Sequence, residues 1–357
     1  MRTGLVCFLL SLVLNGRLSS TRSDRVFERE RANLQELLLQ AKVDVEVKWE
    51  TLRPTERSGP VVFLHSVVGV FNSKRFNGTW GHGKDILLSM LKAIEESPVM
   101  GVLTGVYIGM LGSQDDVEKS TKTISTALEP RLWKGKFHFV VQSEHLEYHE
   151  FPTLMAMQFF ANLAPADTHI MYGHTKGVRK NGAYRSHWRA YMLHWLLHHY
   201  ADACQLVLRD RGFLTCGVLK TPTPHGQIYA GNFFWVKAAF LQESKAESLK
   251  DFPGFLAGES PALLAGVSAA DKGRRRYVAE NYLLAGVTRE ESSRRHYCLH
   301  HTHHDMQNCG TPWSIYAAAS KAFKVGTNGD CYRPALKVRN GVKGNRTSWC
   351  HSALPTI

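Results

Sequence analysis

The segment Gly173-His174-Thr175-Lys176-Gly177 concentrates side chains that could contact an anionic group. Arg179, Lys180 and Arg189 follow it, and such cations bind phosphates through charge-assisted hydrogen bonds. Glycines at both ends would let the backbone approach a ligand closely. We therefore predict that this loop binds a diphosphate or a similar anion. The alternative is a solvated basic turn, and the loop is not a Walker A loop because the Gly-x-x-x-x-Gly-Lys frame is absent.

Alternating strand and helix patterns surround this loop. Apolar, β-branched runs predict strands at Val61–Val68, Gly101–Ile108, Phe137–Val141 and Thr168–Tyr172, with helices at Asp85–Glu96 and Phe151–Leu163. A long helix is predicted over Tyr184–Asp210, and its aromatic stripe is interpreted as core packing. This alternation predicts an α/β fold, a mostly parallel sheet with helices on both faces. Ligands of such sheets lie at the carboxyl ends of the strands, where the loop follows Tyr172.

Four runs of residues together carry a family resemblance: Tyr148 through Leu154, Tyr172 through Gly177, Trp188-Arg189, and His225 through Trp235. They resemble a glycosyltransferase-like family with the motifs E-x-P-T-L, Y-L-H-T-K-G and H-x-S-G-N-F-W-W in this order. The resemblance covers Glu147 to Leu284, and it departs at Gly173, Ala230 and Phe234, where the family has Leu, Ser and Trp. The family is similar to nucleotide-sugar transferases of the GT-A type, with some likeness to rhamnan-synthesis proteins.

The resemblance implies a GT-A-like (Rossmann-like) fold and a site for a nucleotide-sugar donor. Within it, Asn232 would offer its amide to a sugar hydroxyl. Trp235 would either stack on a sugar face or lie in the core. The candidates for donor and substrate binding are His174, Thr175, Lys176, Gly177, Trp188, Arg189, Gly231, Asn232 and Trp235.

Transfer of a sugar to a hydroxyl profits from a general base, which is usually a carboxylate. Glu280 and His225 are the catalytic candidates. For Glu280 the alternative is a solvated helix residue beside a run of arginines. Glu147 and Glu150 are second candidates for the base, and Glu150 could instead cap the helix that follows it.

The sequence lacks the Asp-x-Asp motif with which GT-A enzymes commonly hold a divalent metal. Asp115-Asp116 indicates a helix start instead, so we name no metal ligand and no certain cofactor, and leave a divalent metal open. Our hypothesis is that cationic side chains balance the charge of the leaving group. A separate hypothesis places a transition metal on the histidines of His300–His304; the alternative is an exposed loop closed by Cys298 and Cys309.

An apolar run from Leu5 to Leu14 indicates a signal peptide over residues 1–20, with a short Golgi membrane anchor as the alternative. Beyond it we expect a helical leader or stem (21–59), a GT-A-like catalytic domain (60–290) and a basic, Cys-rich C-terminal extension (291–357) that forms a small disulfide-tied cap. The spacing of six cysteines suggests the pairs Cys204–Cys216, Cys298–Cys309 and Cys331–Cys350, and sequons at Asn77 and Asn345 fit the same oxidising compartment.

Composition limits the class of partner. Lys and Arg outnumber Asp and Glu by 44 to 31, a net charge of +13, while the other fractions are those of a globular protein rather than a disordered or collagen-like one. Secretion argues against nucleic acid, so we assign the charge to binding a phosphate-bearing donor and to a basic surface. The leading hypothesis is a glycosyltransferase of the Golgi or ER lumen, or a secreted one, acting on glycan or protein hydroxyls. The alternative is an inactive secreted domain that binds glycans or acidic polysaccharide, and a third hypothesis is a histidine-rich metalloenzyme.

Overall fold

The fold is taken from a computed structural model of the chain. It describes residues 23–40, 42–54, 59–68, 71–73, 78–80, 82–175, 183–218, 220–223, 226–229, 231–243, 283–284 and 295–298. The predicted signal peptide, most of the C-terminal extension and the histidine cluster at His300–His304 lie outside these residues. Among the described residues, no helix is long and apolar enough to cross a membrane.

Within the described residues, eight helices and three short 3₁₀ turns surround the sheets. The helices are α1 (23–40), α2 (Gly83–Glu95), α3 (Gln114–Ala127), α4 (Pro130–Trp133), α5 (Phe151–Leu163), α6 (Ala183–Leu193), α7 (Gln205–Asp210) and α8 (Ala238–Glu243). Two π-helical segments, His194–His198 and Tyr200–Cys204, join α6 to α7. The 3₁₀ turns are Trp49–Leu52, Pro98–Gly101 and Leu146–Tyr148.

The described strands form one eight-stranded sheet and two hairpins. The strands are β1 (Glu46–Val47), β2 (Val61–Val67), β3 (Phe71–Ser73), β4 (Gly78–Trp80), β5 (Gly105–Leu111), β6 (Phe137–Ser143), β7 (His169–His174), β8 (Thr215–Gly217), β9 (Lys220–Thr223), β10 (Gly226–Tyr229), β11 (Phe234–Lys237) and β12 (His296–Cys298). The large sheet has the order β1-β6-β5-β2-β7-β11-β8-β12, while β3 pairs with β4 and β9 pairs with β10.

The large sheet is mostly parallel, as the sequence predicts. Strands β6, β5, β2 and β7 pair in parallel, and β12 is parallel to β8. Only β1 and β11 run against their neighbours in this sheet. Its two edge strands, β1 and β12, come from the segments predicted to be the leader and the C-terminal extension.

Alternating side chains of the central strands build two cores, one on each face of the sheet. Val62 and Leu64 of β2 join the core made with α2, α3, α6, α7 and the π-helical segments. Val61 and Phe63 face the other core, made with α1, α5 and α8. The molecule therefore has three layers, helices over sheet over helices, as expected for an α/β fold.

Several predicted elements are confirmed, and others are shifted. Helix α5 has the predicted bounds, and the aromatic stripe of the long helix is buried, but that helix changes to π geometry twice. The predicted strand at 101–108 begins four residues later, because Pro98–Gly101 forms a 3₁₀ turn. The predicted disulfide Cys204–Cys216 is present, with its Cα atoms 5.4 Å apart.

Candidate functional site

The strand order in the parallel part of the sheet reverses between β2 and β7, and we call the carboxyl edge of the sheet at this point the crevice. The chain runs from β2 to β5 and then to β6 on one side, and only afterwards adds β7 on the other side of β2. Ligands of open α/β sheets bind at such a reversal of strand order, outside the carboxyl ends of the strands. At this point His65 of β2 and His174 of β7 lie in register.

The first turn of α5 is packed directly against this edge of the sheet. A Cβ atom on Gly109 of β5 would lie 2.0 Å from Oγ1 of Thr153, so only a glycine lets the helix approach this closely. The Thr153 hydroxyl in turn lies 2.9 Å from Nδ1 of His65. Pro152 occupies the first turn, where its missing N–H costs no helical hydrogen bond. This packing brings Glu150, immediately before the helix, next to β7.

Glu150 is the centre of a buried polar cluster. The Tyr172 hydroxyl donates to its Oε2 at 2.9 Å, the Asn232 amide donates to the same oxygen at 2.6 Å, and Nδ1 of His174 bonds to Oε1. The residue is 7% exposed and its side chain makes no helix-capping hydrogen bond. Glu150 thus occupies the N-cap position of α5, as the alternative expected, but its carboxylate serves the cluster and does not cap the helix.

The charge state of Glu150 follows from competing effects. Burial alone raises the pKa of the carboxyl group. The charge and hydrogen bond of His174, with smaller contributions from His65 and Asn232, outweigh burial and lower the pKa to about 2. The carboxylate is therefore ionised at neutral pH, and its oxygens already accept hydrogen bonds from three side chains.

His174 has one ring nitrogen engaged and one unpaired. Its Nδ1 faces Glu150, whereas Nε2 is buried without a hydrogen-bond partner in the described part of the chain. The edge of the Phe233 ring packs against it, with the ring centroids 5.7 Å apart. Phe233 also lies close to Gly173, where a Cβ atom would be 3.1 Å from its ring. The departure from Leu at position 173 thus accompanies close packing of Phe233.

His65 differs from His174 although the two are neighbours in the sheet. It is 3% exposed, and burial lowers its pKa to about 3, against the opposing effect of Glu150. It is consequently neutral at physiological pH. Its backbone carbonyl accepts a hydrogen bond of 2.9 Å from the N–H of Thr175, which fixes the chain as it leaves β7.

Asn232 reaches the cluster because β11 runs against its neighbours. A strand running this way begins at the carboxyl edge of the parallel strands, so the turn before it lies at the crevice. In that turn Gly231 has φ +94° and Asn232 has φ +57°, and the Asn232 N–H donates to Tyr229 O at 2.8 Å. Glycine and asparagine are the residues that adopt such left-handed backbone most readily.

The structure brings some of the predicted site residues together. His174, Thr175, Gly231 and Asn232 lie at the crevice with Glu150, the second candidate for the base. Trp188 and Arg189 lie in α6. Trp188 is partly buried and packs against the core that α2, α3, α6 and α7 form with the sheet, and Arg189 is buried. Four candidates fall outside the described residues: Lys176, Gly177, His225 and Glu280.

Trp235 lies in the core rather than at the surface. Its ring is fully buried 4.3 Å from that of Tyr200, and its Nε1 donates to Leu196 O at 2.8 Å. The expectation that Trp235 stacks on a sugar is therefore wrong, and the alternative of a core aromatic is confirmed. The inward position follows from strand alternation, because Phe234 faces the opposite core.

Sequence reasoning missed His65, Tyr172 and Thr153 as members of the cluster. A signal existed for His65, since it interrupts an otherwise apolar run near the end of a strand. For Thr153 the signal was its place in the E-x-P-T-L run, three residues after Glu150. For Tyr172 the signal was its place at the start of the run that resembles Y-L-H-T-K-G.

The described residues contain no group of three or more His, Cys, Asp or Glu side chains placed to hold a metal ion. Asp115 and Asp116 begin α3, as predicted: the Ser113 hydroxyl caps the helix by accepting from the Asp116 N–H, and Asp115 pairs with Lys119.

A separate cavity of about 420 Å³ lies at the opposite edge of the sheet. Its walls include Val61, Thr104, Gly135 and Thr168, which stand at or just before the amino ends of four strands. None of the residues of the Glu150 cluster lines it. The polar cluster, not this cavity, coincides with the strand-order reversal and is the candidate functional site.

Comparison of the sequence with protein-family models and with curated proteins finds no match.

Proposed function

We propose that this protein is a lumenal glycosyltransferase of GT-A-like fold, which moves a sugar from a nucleotide-sugar donor to a glycan or protein hydroxyl. One observation carries the proposal. Glu150 belongs to the E-x-P-T-L run, His174 to the H-T-K-G run and Asn232 to the G-N-F run, and the latter two side chains bond to the carboxylate of the first. Three motif segments that are far apart in the chain thus compose a single polar cluster.

The position of the cluster favours a nucleotide-bearing ligand. It lies at the strand-order reversal of a mostly parallel sheet, the place where such sheets bind nucleotides. The basic residues Lys176, Arg179 and Lys180 directly follow His174 and Thr175 in the sequence. These cations would neutralise the diphosphate of the donor.

The chemical change in the proposed reaction is a substitution at the anomeric carbon. The acceptor oxygen forms a bond to that carbon, the bond from the carbon to the phosphate oxygen breaks, and the nucleoside diphosphate leaves with the electron pair. The hydroxyl proton must pass to a base. A lumenal location is supported by the predicted signal peptide and by the Cys204–Cys216 disulfide, since disulfides persist in oxidising compartments.

Thermal unfolding with a panel of nucleotide sugars tests the proposal. The full chain, expressed through a secretory pathway, is heated with UDP-, GDP- and CMP-sugars, with Mn²⁺ or Mg²⁺ and separately with EDTA. A donor present at 100 times its Kd stabilises the folded state by about 2.7 kcal/mol, which raises Tm measurably. Release of nucleoside diphosphate is then measured with the stabilising donor and a mixture of glycan acceptors.

Two variants sharpen this assay. Glu150→Gln removes the charge at the centre of the cluster and is expected to abolish product release, while Glu46→Gln changes an exposed carboxylate on β1 and should leave it unchanged. If no donor stabilises the protein but acidic polysaccharide does, the inactive glycan-binding domain is the correct function. The absence of both donor stabilisation and diphosphate release would refute the transferase.

A further inference from the structure

We infer that His174 is the general base of the transfer and that Glu150 is the residue that positions it. This inference rests on the proposed function and reassigns His174, which the sequence placed among donor-binding residues. It follows from the hydrogen bonds that the atoms of these two side chains make within the described residues.

Glu150 is unsuited to accept the proton itself. Its Oε2 accepts from Tyr172 and Asn232, and its Oε1 is engaged by His174. A carboxylate held by several donors is a weak base, which agrees with its lowered pKa. It can, however, hold a proton on the facing nitrogen of His174 and stabilise the imidazolium that forms when that ring takes up a second proton.

His174 is the member of the pair with a ring nitrogen that makes no hydrogen bond within the described residues. With Nδ1 protonated towards Glu150, a neutral ring carries its lone pair on Nε2. That nitrogen has no partner within the described residues. The tautomer of the neutral ring that carries its proton on Nδ1 is the form that can accept a proton at Nε2.

The neighbouring groups support the assignment to His174 rather than to His65. Tyr172 on β7 bonds to Glu150, and His65 on β2 interacts electrostatically with Glu150, with His174 and with His149, which precedes α5. His65 has Nδ1 engaged by Thr153 and lies deeper in the fold. His174 is at the last position of β7, with its side chain 12% exposed. It is thus the imidazole nearer to the crevice.

The proposed step balances as a single displacement. The proton of the acceptor hydroxyl moves to Nε2 of His174 while the acceptor oxygen bonds to the anomeric carbon. The bond to the phosphate oxygen breaks at the same time, and the nucleoside diphosphate carries away the electron pair. His174 returns its proton to water after the products leave. Because one displacement occurs, the product has the opposite anomeric configuration to the donor.

The test compares His174→Gln, His174→Ala and Glu150→Gln with His82→Gln, a change at an exposed histidine. Loss of a general base lowers kcat by about 10²–10⁴-fold. We expect this loss in His174→Ala, with donor Kd from calorimetry within about threefold of the wild type, and partial recovery with added imidazole. The double variant His174→Ala/Glu150→Gln should lose no more than the worse single variant, since the two residues act as a unit.

Two measurements do not depend on the variants' folding. Nitrogen NMR of histidine-labelled wild-type protein should place the proton of the neutral His174 ring on Nδ1 rather than on Nε2. The configuration of the product, determined by proton NMR, should be inverted.

The outcomes separate the two proposals. A wild-type protein that neither binds donor nor releases diphosphate refutes the transferase and, with it, this inference. An active wild type overturns the inference alone if His174→Ala keeps its kcat but binds donor more than about tenfold more weakly, because His174 then contacts the phosphates. A retained configuration, or a bare Nδ1, also overturns it.

Discussion

Asn232 and Glu150 are 82 residues apart in the chain, yet the Asn232 amide donates to the Glu150 carboxylate at 2.6 Å. The contact joins the turn before a reversed strand to the residue that immediately precedes a helix on one face of the sheet. Each partner is constrained separately, Asn232 by its left-handed backbone and Glu150 by the packing of α5 on Gly109. The relative position of these two elements is therefore fixed by the same atoms that form the candidate site.

Substitution of Asn232 tests the contribution of this contact to stability. A hydrogen bond to a charged group contributes about 1.5–3 kcal/mol to stability. A residue such as Ala at positive φ costs about 1 kcal/mol more. We expect Asn232→Ala to lower the free energy of unfolding, measured by urea denaturation, by the sum of these two amounts. Asn232→Gly is the control, because it removes the hydrogen bond but relieves the backbone, and it should lose less. Equal losses in the two variants would contradict a backbone contribution.

Burial of His65 predicts a particular dependence of stability on pH. In the unfolded chain a histidine takes up a proton below a pKa of about 6.5. In the folded protein the pKa of His65 is lowered to about 3, first by burial. The unfolded state therefore binds more protons between these values, and stability falls as the pH falls, by at most about 1.4 kcal/mol per pH unit from this group.

Urea denaturation at pH 7, 6 and 5 measures this effect. We expect His65→Asn to be less stable than the wild type at pH 7. On acidification its free energy of unfolding should fall less steeply than that of the wild type, and the difference in slope should approach the uptake of one proton by the unfolded chain. The exposed His82→Gln variant is the control, and its slope should match the wild type. A slope unchanged in His65→Asn would show that this imidazole is protonated in the folded state.

Trp235→Phe separates packing from ligand contact. The change removes the hydrogen bond to Leu196 O and part of a buried ring, so we expect a loss of about 1–3 kcal/mol in the free energy of unfolding. Because the ring has no exposed surface, KM for donor and acceptor should not change. A KM raised several-fold, in protein that is still fully folded at the assay temperature, would restore a direct contact with the sugar.

The Cys204–Cys216 disulfide ties the end of the π-helical segment to β8. A closed loop of this size stabilises a fold by about 2–4 kcal/mol. We expect the double variant Cys204→Ala/Cys216→Ala to lose this amount in urea denaturation. Peptide mapping under non-reducing conditions should find the two cysteines linked in the wild type. Detection of either as a free thiol would contradict the bond.

Elements whose signals are local could be predicted well from the sequence. Helix α5 begins at the residue before Pro152 and continues as one apolar stretch, so its bounds are as predicted. Helix α1 shows where local reading fails. Its leucines suggest one apolar side, but they differ in burial: Leu38 is buried, at 8%, whereas Leu39 is 79% exposed, and Phe27, at 1%, is buried more deeply. Adjacent leucines cannot all face one side when each residue turns the helix by about 100°.

Several residues of the site could be predicted from the sequence, but the contacts between them could not. His174 and Asn232 carried motif signals, yet their meeting at Glu150 depends on the position of β11 beside β7, with its direction reversed. Strand order and direction are set by packing over the whole sheet, which no local pattern encodes. The same holds for His65, whose role depends on its register with His174.

The buried carboxylate of Glu150 also bears on how the chain folds. Transferring an ionised carboxylate from water to the interior costs several kcal/mol unless its partners are in place. Its donors belong to β7 and to the turn before β11, and Glu150 itself precedes α5. In a partly folded chain that lacks any of these elements, the carboxylate stays hydrated and the segment before α5 does not pack against the sheet. We therefore expect the cluster to close late in folding, after the rate-limiting transition state, so that substitutions of Asn232 accelerate unfolding and leave the folding rate nearly unchanged.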